Sequence, residues 1–114
     1  MGEQKTGFGF MVKINSPLDR ATVHRGSLKV SIHASHFGLP LPPGTIVNVK
    51  WKKGGLLSFL RGWDNVVATP KGPLSTAYEA TIPIPEAGDW KIRAEINAPL
   101  FGTVAYHEID IKAV

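Results

Sequence analysis

The stretch from Tyr78 to Ile96 constrains the fold most, because apolar and polar residues alternate in it on both sides of a Pro-Glu-Ala-Gly-Asp corner. A period of two places successive side chains on opposite faces of an extended strand. The stretch therefore predicts two strands, each with one buried face and one exposed face. The residues predicted to face the core are Tyr78, Ala80, Ile82 and Ile84 in the first strand and Trp90, Ile92, Ala94 and Ile96 in the second.

Similar short strands precede and follow this pair, with turns rich in Gly and Pro between them. No segment of helical length carries the i, i+3, i+4 spacing of an amphipathic helix. About seven short strands with regularly spaced turns are typical of an all-β protein, an antiparallel β-sandwich. We assign residues 11–114 to this domain, and residues 1–10, which are polar and rich in glycine, to a flexible N-terminal lead-in.

The final strand, residues 103–114, changes its inward-facing set along its length, which predicts a β-bulge near His107 and Glu108. A bulge, a proline or a lysine on an edge strand hinders pairing with another chain. We therefore expect a monomer in isolation. The residues that we interpret as edge protections, besides the bulge, are Pro17, Lys50 and Lys52.

The composition argues against several classes of function. The 114 residues include no cysteine, so disulfides, thiolate metal sites and a cysteine nucleophile are excluded. The net charge of +4 comes from scattered lysines and arginines, and we expect no nucleic-acid partner. Nucleophile-elbow, P-loop, dinucleotide-binding and zincin motifs are absent. The carboxylates are spread over turns and exposed faces, so we expect no enzymatic activity.

The corner at residues 86–92, Glu-Ala-Gly-Asp-Trp-Lys-Ile, resembles the E–F corner of immunoglobulin-like domains. Trp90 stands at the position of the corner tyrosine, Ile92 at that of the second core cysteine, and Trp51 at that of the core tryptophan. Residues 14–23, Ile-Asn-Ser-Pro-Leu-Asp-Arg-Ala-Thr-Val, are similar to the opening of many bacterial immunoglobulin-like modules. The resemblance implies an immunoglobulin-like sandwich but specifies no activity.

A narrower set of motifs is similar to YtkA-like and FixH-type domains, small exported sandwiches of bacteria. The motifs are Gly-Leu-Pro at 38–40, Tyr-Glu-Ala at 78–80 and Gly-Asp-Trp at 88–90. This resemblance implies an exported protein, periplasmic, extracellular or otherwise in the cell envelope, and offers copper binding as an alternative function. Residues 1–10 contain no apolar run that could act as a signal sequence, so a cytoplasmic location stays open.

Histidines are the only nitrogen ligands here that suit copper or zinc. His33 and His36 lie at the end of a predicted strand and His24 in the loop before it, so the three could converge on one surface region. Met11 could add a thioether ligand for copper. No His-x-His pair or dense cluster is present, and solvated histidines without a metal are the alternative interpretation.

The segment from Lys50 to Trp63 mixes cations with large apolar side chains. Exposed apolar groups beside cations suit the docking of a protein partner or contact with a membrane surface. Alternatively, the apolar run at residues 56–60 closes one end of the core. The candidate partner-binding residues are Leu57, Phe59, Leu60 and Trp63.

Two other loops, Phe37 to Gly44 and Ala98 to Gly102, are rich in Pro, Leu and Phe. End loops carry binding in many immunoglobulin-like modules, and plain connection of strands is the alternative. A carbohydrate-binding function would require Trp63 and Tyr106 to form an exposed stacking platform. Our primary interpretation is a non-catalytic module for protein interaction or structural spacing in a bacterial protein, with copper and carbohydrate binding as alternatives.

Overall fold

Strands with one apolar face make up two sheets in the computed structural model, which describes residues 2–114. This described part of the chain contains ten strands and one short 3-10 helix, Ser58–Leu60. In chain order the strands are β1 (Glu3–Lys5), β2 (Phe10–Ser16), β3 (Thr22–Val23), β4 (Gly26–His36), β5 (Ile46–Lys53), β6 (Asp64–Val67), β7 (Thr69–Pro70), β8 (Ala77–Ile84), β9 (Gly88–Ala98) and β10 (Gly102–Ala113).

The order of the strands is that of an immunoglobulin-like sandwich. One sheet has the order β2-β4-β8-β7, which corresponds to strands A, B, E and D. The other has the order β1-β10-β9-β5-β6, in which β10, β9 and β5 correspond to G, F and C; β3 also pairs with β10, in parallel. The predicted fold class is confirmed. The strand count exceeds the predicted seven because β1, β3 and β7 are pieces of only two or three residues.

The inner faces of the two sheets meet in a core made almost entirely of strand residues. The predicted alternation is confirmed: the inward sets of β8 and β9 are buried, with Tyr78 partly so, and Trp51 is buried on β5. Full burial of a branched apolar side chain contributes about 1.5–3 kcal/mol to stability. The largest fully buried side chains are Ile14, Ile32, Ile82, Ile84, Ile92, Ile96 and Ile109.

Trp90 fixes the corner between β8 and β9. Its indole Nε1 donates a hydrogen bond to the Glu86 carbonyl oxygen at 2.9 Å, and Lys53 Nζ lies 5.5 Å from the centroid of its ring. The tyrosine corner of immunoglobulin-like domains likewise bonds a side chain back to the backbone a few residues upstream. Gly88 has a φ of +120°, which glycine adopts without steric penalty. Trp90 therefore makes the contact expected of the corner tyrosine.

The start of the chain differs from the predicted lead-in over residues 1–10. Among the described residues of that segment, β1 pairs with β10, and Gln4 Nε2 donates a hydrogen bond to the Val12 carbonyl oxygen at 3.0 Å. Phe10 begins β2 and is buried. The polar sequence of β1 gives no apolar alternation, but pairing satisfies backbone groups along the exposed edge of β10. The sandwich thus includes residues 3–5 and Phe10 of this segment.

The bulge in the last strand lies between Thr103 and Ala105, where the register shifts, and not near His107 and Glu108 as predicted. Val104 and its neighbour Ala105 are both buried at this shift. Two successive inward residues are what an extra residue in one strand produces. The change in the inward-facing set therefore predicted a bulge in this strand correctly but placed it too close to the end of the chain.

The predicted edge protection by Lys50 and Lys52 is wrong, because their strand β5 lies between β9 and β6 in the interior of its sheet. Strand β6 was hard to predict because three of its four residues are exposed and show no apolar alternation. Pro17, by contrast, directly follows β2, which is an edge strand.

Candidate functional site

The three histidines predicted to bind metal do not converge. His24 precedes β4 and His36 ends it; at about 3.3 Å per residue, the 11 residues of β4 separate them by roughly 30 Å. The ring of His36 stacks on Phe10 at 4.1 Å, and its Nε2 lies 3.0 Å from the carbonyl oxygen of Phe8. Within residues 2–114, no group of three or more His, Asp or Glu side chains is placed to hold a metal ion. The predicted site, which also included His33, required the three histidines to lie close together, and they do not.

The fourth histidine, His107, joins the two sheets. Its Nδ1 accepts a hydrogen bond from the backbone N–H of Ile14 on β2, at 2.9 Å. Burial lowers the pKa of the imidazole, and the charge of Lys13 lowers it further while Asp19 opposes the shift. Because Nδ1 must be unprotonated to accept this bond, His107 contributes to the structure as a neutral group.

An ion-pair network covers the outer face of the larger sheet. Arg93 contacts Glu108 Oε1 at 3.1 Å through Nε and Glu95 Oε2 at 3.3 Å through Nη1. Lys50 Nζ lies 3.1 Å from the other Glu95 oxygen. Glu95 is only 3% exposed although it alternates with core residues, because these long side chains cover it. The charged side chains on this face therefore pair with one another.

The two aromatics predicted as a sugar platform lie against these cations. The guanidinium carbon of Arg93 is 4.0 Å from the centroid of the Tyr106 ring. Lys52 Nζ is 4.5 Å from the centroid of the Trp63 ring. Both rings are partly buried, and each gives a face to a cation–π contact. The exposed stacking surface that carbohydrate binding requires is thus reduced at both positions.

Carboxylates considered for catalysis also pair with cations. Lys53 donates a hydrogen bond to Glu86 Oε2 at 2.9 Å, and this contact lowers the pKa of Glu86. The hydrogen bond from Lys91 to Asp110, also 2.9 Å, raises the pKa of the lysine. Such pairs stabilise the ionised forms of both groups, whereas a general acid needs an accessible proton near neutral pH.

The apolar run at residues 56–60 does not close the core. Leu57, Phe59 and Leu60 are 58%, 74% and 69% exposed, so the core-closing alternative is wrong. The 3-10 helix projects these side chains into solvent, while Trp63, the fourth predicted partner-binding residue, packs back against the sheet beside Lys52. The core is complete without the loop because strand residues fill it from both sheets.

The other end of the sandwich carries a second exposed apolar surface, the apolar loop end. Strand β4 ends there, and β2, β5, β8 and β10 begin there. The two loops singled out by their Pro, Leu and Phe content both belong to it, and Pro99 Cγ is 3.1 Å from where a Cβ on Gly44 would lie. The apolar loop end comprises residues 6–9, 37–45, 71–76 and 99–101.

Four bulky residues at the tips of these loops have left-handed backbone. Their φ values lie between +51° and +70°, and each side chain is at least 73% exposed. Left-handed backbone is favoured by Gly and Asn, and other residues there carry a penalty of roughly 1–2 kcal/mol. The four residues are Phe8, Phe37, Leu74 and Leu100.

Hydrogen bonds and ring contacts hold these tips in place. The Phe37 N–H donates to the Gly9 carbonyl oxygen at 2.8 Å, and the Phe37 ring lies 4.5 Å from His36. A Cβ on Gly9 would come within 2.4 Å of the Phe37 ring, so a larger residue there would displace this ring. Phe8 and Phe101 have ring centroids 6.0 Å apart. The exposed aromatics therefore have defined positions.

A cavity of about 160 Å³ opens among these aromatics. Phe8, Phe10, Phe101 and Val104 line it, and each of these side chains is a hydrocarbon. The sequence analysis did not single out Phe8 and Leu74. Each is a large apolar residue within a turn sequence, Gly-Phe-Gly or Gly-Pro-Leu, where small or polar residues are usual. That unusual residue type could have identified both positions.

Comparison with known proteins supports the fold alone. No protein-family model and no curated protein sequence matches the chain. A crystal structure described as that of an engineered protein is similar, with a TM-score of 0.67 and 19% sequence identity over 92% of this chain. The chain spans 20% of the length of that protein. In residues 2–114, no helix has the length and apolar character needed to cross a membrane.

The left-handed backbone at the loop tips predicts that glycine substitutions there stabilise the domain. Replacing Leu100 with Gly should raise the free energy of unfolding by about 0.5–1 kcal/mol, because the relieved steric penalty exceeds the added entropy of the unfolded chain. Leu56→Gly is the matched control, since Leu56 is equally exposed in a loop but has no left-handed backbone. Urea denaturation measures both. A loss in Leu100→Gly as large as in the control would contradict the assigned strain.

The neutral His107 predicts a pH dependence of stability. Its pKa is lowered on folding, so the unfolded chain takes up a proton first, as pH falls through about 6.5, and stability then decreases. His107→Gln should remove this component, because Gln does not titrate but can still accept the Ile14 N–H. Denaturation between about pH 5 and pH 7.5 measures the difference. Equal pH slopes in the two proteins would show that His107 is charged or solvated in the fold.

Proposed function

We propose that this chain is a non-catalytic interaction module that docks a protein partner through the apolar loop end. The observation that carries the proposal is the exposure of four bulky apolar residues with left-handed backbone at the tips of neighbouring loops. Strained backbone concentrates at functional sites, where the surrounding structure maintains it. These side chains add little to the buried core and carry a conformational penalty, so partner binding is the role that accounts for both features.

The chemistry of this end favours a protein side chain as the ligand. A cavity of about 150 Å³ with apolar walls is large enough for a benzene-sized group, and the one between Phe8 and Phe101 measures about 160 Å³. The apolar loop end contains one charged residue, Lys71, and no carboxylate. Centres of protein interfaces are likewise poor in charge and rich in aromatic residues. The partner that fits inserts an aromatic or aliphatic side chain between these rings.

Two features support the non-catalytic part of the proposal. The carboxylates of Glu79, Glu86, Glu95, Glu108 and Asp110 each lie within ion-pair distance of a lysine or arginine. The cavity at the apolar loop end has only hydrocarbon side chains along its walls and so offers no acid, base or nucleophile. Structural spacing is the competing role for the same rigid sandwich; it requires no ligand at the loop end. A cell-envelope location and a bacterial source stay predictions.

The proposal predicts that small side-chain mimics bind the cavity. We expect N-acetyl-phenylalaninamide and N-acetyl-leucinamide to cause saturable NMR shifts at Phe8, Phe101 and Val104, and N-acetyl-serinamide to cause none. Phe101→Ser should weaken binding, because it removes one wall of the cavity. Leu74→Ser is the matched control, since Leu74 is exposed at the same end but does not line the cavity.

Absent shifts, shifts scattered over the sheets, or equal binding by Phe101→Ser and the wild-type domain would overturn the docking site. The role in structural spacing would then be the better account. Both replaced side chains are exposed, so we expect both variants to remain folded, and their backbone spectra check this.

A further inference from the structure

The loop at residues 54–63 lies at the opposite end of the sandwich from the apolar loop end, and its function is independent of the one proposed above. It follows Lys53, which pairs with Trp90 at the start of β9, and Gly54 N–H donates to the Asp89 carbonyl oxygen at 2.7 Å. Four large side chains at its tip are between 58% and 93% exposed. They are Leu56, Leu57, Phe59 and Leu60.

Cations surround the base of this loop. Residues 50–63 contain four lysines and arginines and no carboxylate. A cleft of about 330 Å³ beside the loop is lined by Lys52, Lys53 and Arg61, together with Trp90, Gly62 and one carboxylate, Asp64. Lys53 also donates hydrogen bonds to Glu86 Oε2 and the Ala87 carbonyl oxygen, both at 2.9 Å. Gly54 and Gly55 also line a second cleft, with Arg20, Lys112, Asp89 and Asp110. Over both clefts, with Glu86 counted beside Lys53, five cations stand against four carboxylates, so one positive charge remains in excess behind the apolar tip.

We propose that the 54–63 loop docks on an anionic phospholipid surface. Leu56, Leu57, Phe59 and Leu60 enter the boundary between headgroups and acyl chains, and the cations at the base of the loop face the lipid phosphates. Interfacial binding of this kind needs buried apolar area together with attraction to anionic lipid, and here one narrow loop supplies both.

The shape of the loop favours a lipid surface over a protein partner. Its apolar side chains project from a single 3-10 turn that has no buried residue, and the two clefts beside it are lined largely by charged side chains. A convex apolar tip inserts into a fluid interface without requiring a shaped recess. The apolar loop end differs on both counts, since it has a cavity with apolar walls and only one cation.

The experiment is co-sedimentation of the whole chain with vesicles of phosphatidylcholine alone and of an equal mixture with phosphatidylglycerol. We expect binding to the anionic vesicles, weaker at high salt because the attraction is screened. Leu57→Ser with Leu60→Ser should lower the binding constant at least about tenfold, through lost apolar insertion without any change of charge. Lys52→Gln with Arg61→Gln should lower it by about fivefold per cation, on anionic vesicles only.

Phe37→Ser with Phe101→Ser is the matched control, because it removes equally exposed apolar groups from the opposite end and should leave vesicle binding unchanged. Circular dichroism and backbone spectra confirm that each variant is folded before it is compared. The proposal is overturned if the wild-type chain binds neither vesicle, if it binds both equally, if the Leu57 and Leu60 variant binds as the wild type does, or if the control variant loses binding as well.

Discussion

Apolar contact between the inner faces of the two sheets is the interaction on which the rest of this structure depends. Isoleucine and valine side chains from alternate positions of β2, β4, β5, β8, β9 and β10 fill the space between the sheets, with Trp51 and Trp90 among them. The strands supply almost all of these residues, and within residues 2–114 the loops add only Ala68 to the core and Leu41 against its edge. Both ends of the sandwich are thereby free to carry apolar side chains that folding does not require.

The two ends use this freedom differently. At one end, hydrogen bonds and tilted ring contacts hold Phe8 and Phe37 in left-handed backbone, and Phe8 lines a cavity with apolar walls. Their conformational penalty is small beside the stabilisation from core burial. At the other end, a single turn of 3-10 helix exposes Leu57 and Leu60 beside a cleft that contains Lys52, Lys53 and Arg61. A fixed cavity suits one defined side chain, whereas a convex tip suits a fluid surface.

Alternation made the sandwich predictable, because a period of two determines which residues of a strand are buried whatever its neighbours are. The role of Trp90 followed from its place in the corner sequence and is met by its hydrogen bond to Glu86. Position in space was harder to predict. His24 and His36 are near in sequence yet lie at opposite ends of β4, since an extended strand separates residues faster than any other element.

The sequence also could not distinguish an exposed apolar run from a buried one. Leu-Leu-Ser-Phe-Leu at residues 56–60 has the composition of a core segment, and its exposure depends on whether other strands have already filled the core. Strand β1 is the converse case: Glu-Gln-Lys has no apolar alternation, and it pairs because β10 has a free edge. Both outcomes are decided by tertiary structure.

The central claim is that the sandwich is closed by its strands and leaves the bulky apolar residues at the loop tips of both ends in water. Paramagnetic relaxation of side-chain methyl signals by a soluble gadolinium chelate tests it directly. The account predicts strong broadening of the methyl signals of Leu57, Leu60 and Leu100 and none for Ile82 and Ile92. Protection of the three leucines to the degree seen for the two isoleucines would contradict it, because these loops would then be part of the core.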